Sequence, residues 1–237
     1  MAAPTLLAFD TSTEVMSLAL LRDGALSVRE GEAGAQASMR LIPEALRLLE
    51  DAGCALRDVD AIAFGRGPGA FTGLRTACSV AQGLAFGAHK PVLPLDSLML
   101  VAEDALAQAQ LSDCWVAMDA RMDEVYAARY RWDGAHWHIE RDPALYTLEA
   151  LAAQWRAQPP VAVAGSALDA FGDRLPVPSQ ALRVPQARSR AAALARIALQ
   201  AWQRGAAIDA AQALPLYLRD KVALTTAERE AARKVTA

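Results

Sequence analysis

Apolar residues fall into short runs and amphipathic stretches separated by polar turns. Thr5 to Phe9 and Val15 to Leu21 have strand length and flank the polar turn Asp10-Thr11-Ser12-Thr13. Asp23-Gly24 makes a hairpin turn into a third strand, Ala25 to Glu30. Leu41, Ile42, Ala45, Leu46 and Leu49 recur at helical spacing before Gly53, with Pro43 near the helix start or at a kink. Val59 to Phe64 then leads into Gly65-Arg66-Gly67-Pro68-Gly69, which predicts a rigid, sharply turned loop. Thr72 is the expected N-cap of a helix from Gly73 to about Phe86, ended by Gly87.

That helix is the unusual element. Leu74, Ala77, Cys78, Ala81, Leu84, Ala85 and Ala88 make one apolar stripe, yet Val80, Gly83 and Phe86 leave the opposite side barely polar. Two readings follow. The helix is buried wholly within its own domain, or one side packs on a sheet and the other meets a helix of a partner chain.

Pro91 to Leu95 is a further strand, and Asp96 or Ser97 caps a helix to about Gln110. The pattern then begins again. Phe9-Asp10 maps onto Met118-Asp119 at an offset of 109, and Glu14-Val15 and Asp23-Gly24-Ala25 map onto Glu124-Val125 and Asp133-Gly134-Ala135 at an offset of 110. One residue inserted in the loop accounts for the change, so two similar α/β units are expected. A helix from about Thr147 to Gln158, a strand from Val161 to Ala164, a short helix near Leu168, a link dotted with Pro176, Pro178 and Pro185, and a helix from Arg190 to Arg204 complete the second unit.

Composition adds limits. The 237 residues are 54% hydrophobic and 22% charged, with net charge −3, which excludes a disordered chain and one held to nucleic acid mainly by its own charge. Cys54, Cys78 and Cys114 are far apart and odd in number, so neither a disulfide framework nor a zinc site is indicated. Residues 1–9 lack a basic leader and no apolar run reaches membrane-span length; a cytoplasmic setting without membrane partners is expected.

LLAFDTSTEVMSLAL followed by AFGRGPGAFTGLRTACSVAQGLAFG resembles the TsaB (YeaZ) family of bacteria, strongly over residues 5–97 and again at Leu214 to Arg219. The resemblance implies two ribonuclease-H-like lobes of the actin, Hsp70 and sugar-kinase-like (ASKHA) α/β fold. These are expected as an N-terminal lobe, 1–97, a C-terminal lobe, 98–219, and a polar tail, 220–237. It implies a non-catalytic subunit needed for threonylcarbamoylation of adenosine 37 in tRNAs that read codons beginning with A. The implied partners are a catalytic TsaD-type paralogue, a TsaE-type ATPase, a second copy of the chain, and tRNA only within the complex. The chain is expected to carry no cofactor of its own, any ATP or ADP lying at a shared interface of the assembly. Family dimers pack the first two helices of each partner, which assigns the interface to Leu41, Ile42, Ala45, Leu46, Leu49, Leu74, Cys78, Ala81, Gln82 and Ala85. On that assignment Ala81→Arg abolishes dimers and leaves the monomer folded.

Other chemistry is thinly represented. The paralogue's metal-binding HxxxH has no counterpart in Ala35 to Glu44, and His136 and His138 share a strand face without a third ligand, so no metal is expected. Asp10, Thr11 and Thr13, with Gly65, Arg66, Gly67, Gly69 and Arg75, form a candidate vestigial nucleotide or anion loop, but without a GxxxxGK[ST] signature. Ser12, Ser79 and Ser166 have no GxSxG setting. No catalytic residue is assigned; the rival reading is a small ATPase or kinase using the cleft between lobes. Arg174, Arg183, Arg188, Arg190, Arg196 and Arg204 follow one another without an acid, and either contact tRNA or form a solvated face.

Overall fold

The computed structural model describes residues 3–32, 37–187 and 189–219. The expected polar tail, 220–237, and Arg188 lie outside the described residues. The first half folds as β1 (Leu6–Asp10), β2 (Val15–Arg22), β3 (Ala25–Glu32), α1 (Ala37–Asp51), β4 (Ala61–Gly67), α2 (Phe71–Ala88), β5 (Val92–Asp96) and α3 (Ser97–Ala109). The second folds as β6 (Asp113–Asp119), β7 (Glu124–Trp132), β8 (Trp137–Thr147), α4 (Leu148–Ala157), β9 (Ala162–Ala164), α5 (Ala167–Phe171), β10 (Leu182–Val184) and α6 (Arg190–Gln203).

The strands form two five-stranded sheets, β3-β2-β1-β4-β5 and β10-β9-β6-β7-β8. Read from its β8 edge, the second sheet repeats the order of the first. Both start with an antiparallel meander and continue with parallel strands. The expected two similar α/β units are present. The loop alignment needs revision: Asp10 faces Ser17, whereas Asp119 faces Val125, so the second turn is one residue shorter between paired residues.

Local chemistry explains most elements. β1 and the start of β4 are apolar on both faces because helices cover both sides of the central parallel pair. Asp23 and Gly24 both have φ near the left-handed region, 51° and 77°, as a two-residue hairpin turn of matching twist requires. Asp96 caps α3 by accepting from Leu98 N–H at 2.9 Å, and Thr147 caps α4 by accepting from Ala150 N–H at 3.1 Å.

Three cores hold five layers together, the central one spanning both sides of the middle helix layer. Leu7, Phe9, Leu18, Ile62 and Phe64 face α1 and α2. The other face of that sheet, with Leu6, Ala8, Ala63 and Leu95, meets α3 and α6, which also pack on Cys114, Val116, Ala128 and Tyr130 of the second sheet. Trp115, Val125 and Val163 face α4 and α5 on the far side. Helix α6 thus lies between the sheets, and the segment after it returns to the first. Val92 and Ile208 exchange backbone hydrogen bonds of 2.9 Å, and Leu216 N–H donates to the Arg66 carbonyl at 2.7 Å. Residues 190–219, expected in the second lobe, therefore cover the inner face and β5 edge of the first sheet.

Candidate functional site

Two regions can carry function: the α1–α2 layer and the cleft between the lobes. Helix α2 begins at Phe71, two residues earlier than expected, with Ala70 as N-cap and no side-chain cap. Thr72 is not the cap. The backbone is set by the β1–β2 turn instead, since Ala70 N–H donates to the Ser12 carbonyl at 2.7 Å and Thr11 Oγ1 donates to the Gly73 carbonyl at 2.7 Å. The glycines here serve contact: a Cβ at Gly73 would lie 1.8 Å from the Thr11 oxygen, and one at Gly65 would lie 1.7 Å from Asp10 Oδ2. The helix ends not at Gly87 but at His89, in the left-handed conformation.

The expected interface is largely occupied by the chain itself. Leu41, Ala45, Leu49, Leu74, Cys78, Ala81 and Ala85 are buried, Ala81 at 0% exposure, because the apolar stripes of both helices face the first sheet. Gln82 Nε2 donates to the Ala213 carbonyl at 3.0 Å, and Cys78 Sγ lies 3.4 Å from the same oxygen, so the returning segment covers that side of α2. The small-residue face is thus closed in the monomer. Of the named residues, Ile42 and Leu46 remain exposed, and with them stand Met39 on α1 and Phe86 on α2. Phe86 is 80% exposed. Sequence reasoning put Phe86 on the side opposite the stripe, but did not assign it to the interface.

The cleft is lined by the β1–β2 turn, the α2 N-terminus, the β6–β7 turn, Ser166, Arg190 and the segment from Leu216 to Arg219. Asp10 is fully buried. Its Oδ1 accepts from Ser12 N–H at 2.9 Å and Ser12 Oγ at 2.6 Å, its Oδ2 accepts from Ser97 Oγ at 2.7 Å, and Arg190 Nη2 lies 3.4 Å from Oδ1. Gly65 and Gly67, expected in the loop, are buried at the end of β4, Gly69 is half-buried in the bend that follows, and Thr13 Oγ1 accepts weakly from Val15 N–H at 3.3 Å. Arg75 lies outside the cleft lining: its guanidinium stacks 3.9 Å from the Phe71 ring centre and Nε donates to Tyr217 Oη at 3.0 Å. Arg66 is exposed, and its charge reaches the buried Asp96–Tyr130 pair. There Tyr130 Oη donates to Asp96 Oδ2 at 2.5 Å, and burial raises the pKa of both groups.

Among the described residues, most of the arginine run is engaged within the chain. Arg190 is buried beside Asp10, Arg196 Nε pairs with Glu103 at 2.5 Å, Arg174 pairs with Asp123 at 3.0 Å, and Arg183 donates to the Val177 carbonyl. Sequence reasoning missed the Asp10–Arg190 contact, since nothing local links residues so far apart. His136 and His138 are exposed, and His138 Nε2 lies 2.6 Å from Asp133 Oδ2. Among the described residues no group of three His, Cys, Asp or Glu side chains is placed to hold a metal. The three cysteines are free and buried, and burial pushes the Cys114 thiol up to about 12. No helix among the described residues is long and apolar enough to cross a membrane.

The family model described as TsaD, tRNA N6-adenosine threonylcarbamoyltransferase, matches residues 31–180. The tRNA threonylcarbamoyladenosine biosynthesis protein TsaB of Escherichia coli (strain K12) is 33% identical over 227 residues, covering 92% of this chain and 96% of that protein. The Haemophilus influenzae protein of the same name is 47% identical over 122 residues, 52% of each chain. The solved structure of YeaZ from Pseudomonas aeruginosa superposes with a TM-score of 0.82 at 40% identity, covering 91% of this chain and all of that one. Another Pseudomonas aeruginosa structure, of an uncharacterised protein described as similar to peptidase YeaZ, gives 0.83. The fold is the actin-like, ASKHA type, with its two halves visible in the paired sheets. The near-complete match to a TsaB protein and the close superposition on YeaZ place this chain in the TsaB (YeaZ) family.

Proposed function

We propose that the chain is an accessory, non-catalytic subunit of the machinery that threonylcarbamoylates adenosine 37 of tRNA, acting by docking onto a TsaD-type catalytic paralogue. The observation that carries the reading is the outer face of the α1–α2 layer. Phe86 is 80% exposed on α2, and Met39, Ile42 and Leu46 are 68%, 39% and 46% exposed at helical spacing on α1. Around Gly83 and Gly87, on the Phe86 side of α2, nothing lies within 4 Å of where a Cβ would stand, so a partner helix can approach the backbone closely. Covering Phe86 alone is worth about 1.5–3 kcal/mol before association entropy is charged against it.

The same face suits a second copy of the chain, and homodimer and heterodimer then compete for it. A TsaE-type ATPase and tRNA join only the assembled complex in this proposal. The ATPase reading is disfavoured because Asp10 already spends its acceptors on Ser12, Ser97 and Arg190. Phe86→Asp tests the proposal: co-purification with the TsaD-type paralogue is expected to fail while circular dichroism stays unchanged. Retained association at wild-type strength would remove this face from consideration.

A further inference from the structure

We propose that residues 213–219 are a tie between the lobes, with Arg219 at its end holding the β6–β7 turn in place and fixing how wide the cleft stands open. The segment is fastened to the first lobe along α2, from Gln82 back to Phe71. The Ala213 carbonyl accepts from Gln82 Nε2 at 3.0 Å, and Leu216 N–H donates to the Arg66 carbonyl at 2.7 Å. The fit against β4 is close. A Cβ at Gly67, where φ is 112°, would lie 2.9 Å from the Leu216 carbonyl oxygen. The Tyr217 ring then packs 5.1 Å from that of Phe71, and its Oη accepts from Arg75 Nε at 3.0 Å.

Two residues later the segment reaches the second lobe. Arg219 Nη2 donates to Glu124 Oε2 at 2.5 Å and to the Arg121 carbonyl at 3.2 Å, and Nη1 lies 3.5 Å from Met122 Sδ. One guanidinium thus grips the turn at three residues. That turn has an unusual backbone: Arg121, Met122 and Asp123 have φ of 62°, 56° and 58°. Three consecutive residues with side chains in the left-handed region are costly, because each Cβ crowds the carbonyl that follows. Such a conformation persists where its surroundings hold it. The second lobe supplies part of the hold: Asp119 Oδ1 accepts from Arg121 N–H at 2.8 Å, and Arg174 pairs with Asp123 at 3.0 Å. The backbone bond that closes the turn, from Glu124 N–H to the Arg121 carbonyl, is long at 3.2 Å. Arg219 reaches the same oxygen from outside.

A second contact meets the turn across the cleft, from Arg121 Nη2 to Glu14 Oε1 at 2.6 Å. Both of its side chains are mostly exposed, so water and salt screen it. The Arg219 side chain is 13% exposed, and its charge-assisted bond to Glu124 is the stronger link. The two lobes also share a core at the floor of the cleft, where Leu98 and Val101 of α3 line it. The tie joins them instead at the rim, beside the exposed Glu14 and Arg121.

The test measures hydrogen exchange and the distance between lobes on the full chain. Spin labels go on Thr72→Cys, at the start of α2, and Ala170→Cys, on α5, which are exposed positions lining the cleft in the two lobes; Cys54, Cys78 and Cys114 are buried. Arg219→Ala is expected to speed exchange of the 120–124 amides by at least about tenfold and to broaden the distance distribution, with exchange in β1 and β4 unchanged. Glu124→Gln removes the charge from the other side of the contact and is expected to shift both readouts the same way. Arg121→Ala breaks the exposed pairs and is expected to leave the distance unchanged. Unchanged exchange at the turn or an unchanged distance in either Arg219→Ala or Glu124→Gln would overturn the proposal, as would equal broadening in Arg121→Ala.

Discussion

Asp10 is where a residue's chemistry most affects the fold. It is fully buried and its charge is answered by Arg190, itself nine-tenths buried. Removing one partner strands the other, so Asp10→Ala is expected to cost about 3–5 kcal/mol in urea unfolding, and adding Arg190→Leu to recover part of it. A cost below about 1 kcal/mol would mean that the pair is already well hydrated. Gly73→Ala forces a methyl group against the Thr11 carbonyl and is expected to cost about 3 kcal/mol by the same measurement. Cys114 gives a pH dependence. Its thiol is held up to about 12 by burial, against an ordinary value of 9.0. The unfolded chain thus loses this proton first, and stability falls as pH rises from about 9 towards 12. Cys114→Ala should flatten that decline in denaturation midpoints measured across the range; an equally steep decline would assign it to other groups.

At the scale of elements, α2 separates what its sequence could say from what it could not. The stripe from Leu74 to Ala85 identified a helix covered on more than one side, but the turn before it was placed too early: Gly65, Arg66 and Gly67 continue β4 beside β5, and only Pro68 and Gly69 bend the chain towards the helix. What covers each side was not legible. The stripe lies on the chain's own sheet, and the flank bearing Cys78 and Gln82 is closed by residues around Ala213, more than 130 positions away. Periodicity reports that a face is apolar, not which surface it meets. Ala81→Arg therefore buries a charge in the core of the first lobe, and loss of the cooperative thermal transition is expected rather than a folded monomer. A folded monomeric Ala81→Arg would contradict the burial described here. Strand β8 was not assigned in full for another reason. HIERDPALYT is polar and contains Pro143, which only an edge strand tolerates, so it lacks the alternation of a half-buried strand. Three-residue β10 has no local signal and exists through its pairing with β9.

At the scale of the molecule, the two sheets enclose α3 and α6 in a shared core, so the lobes are coupled through apolar packing as well as through Asp96–Tyr130. The duplication was legible because strand ends and turns repeat in the sequence; the return of residues 190–219 to the first lobe was not, because nothing local marks it. With the inner faces filled, the exposed apolar residues of α1 and α2 are left facing outward. The most direct measurement is light scattering of the chain mixed with the TsaD-type paralogue of its own organism, with and without Phe86→Asp. A one-to-one complex formed by the wild-type chain and lost in the variant is the predicted result; a complex of unchanged mass and affinity with Phe86→Asp would contradict it.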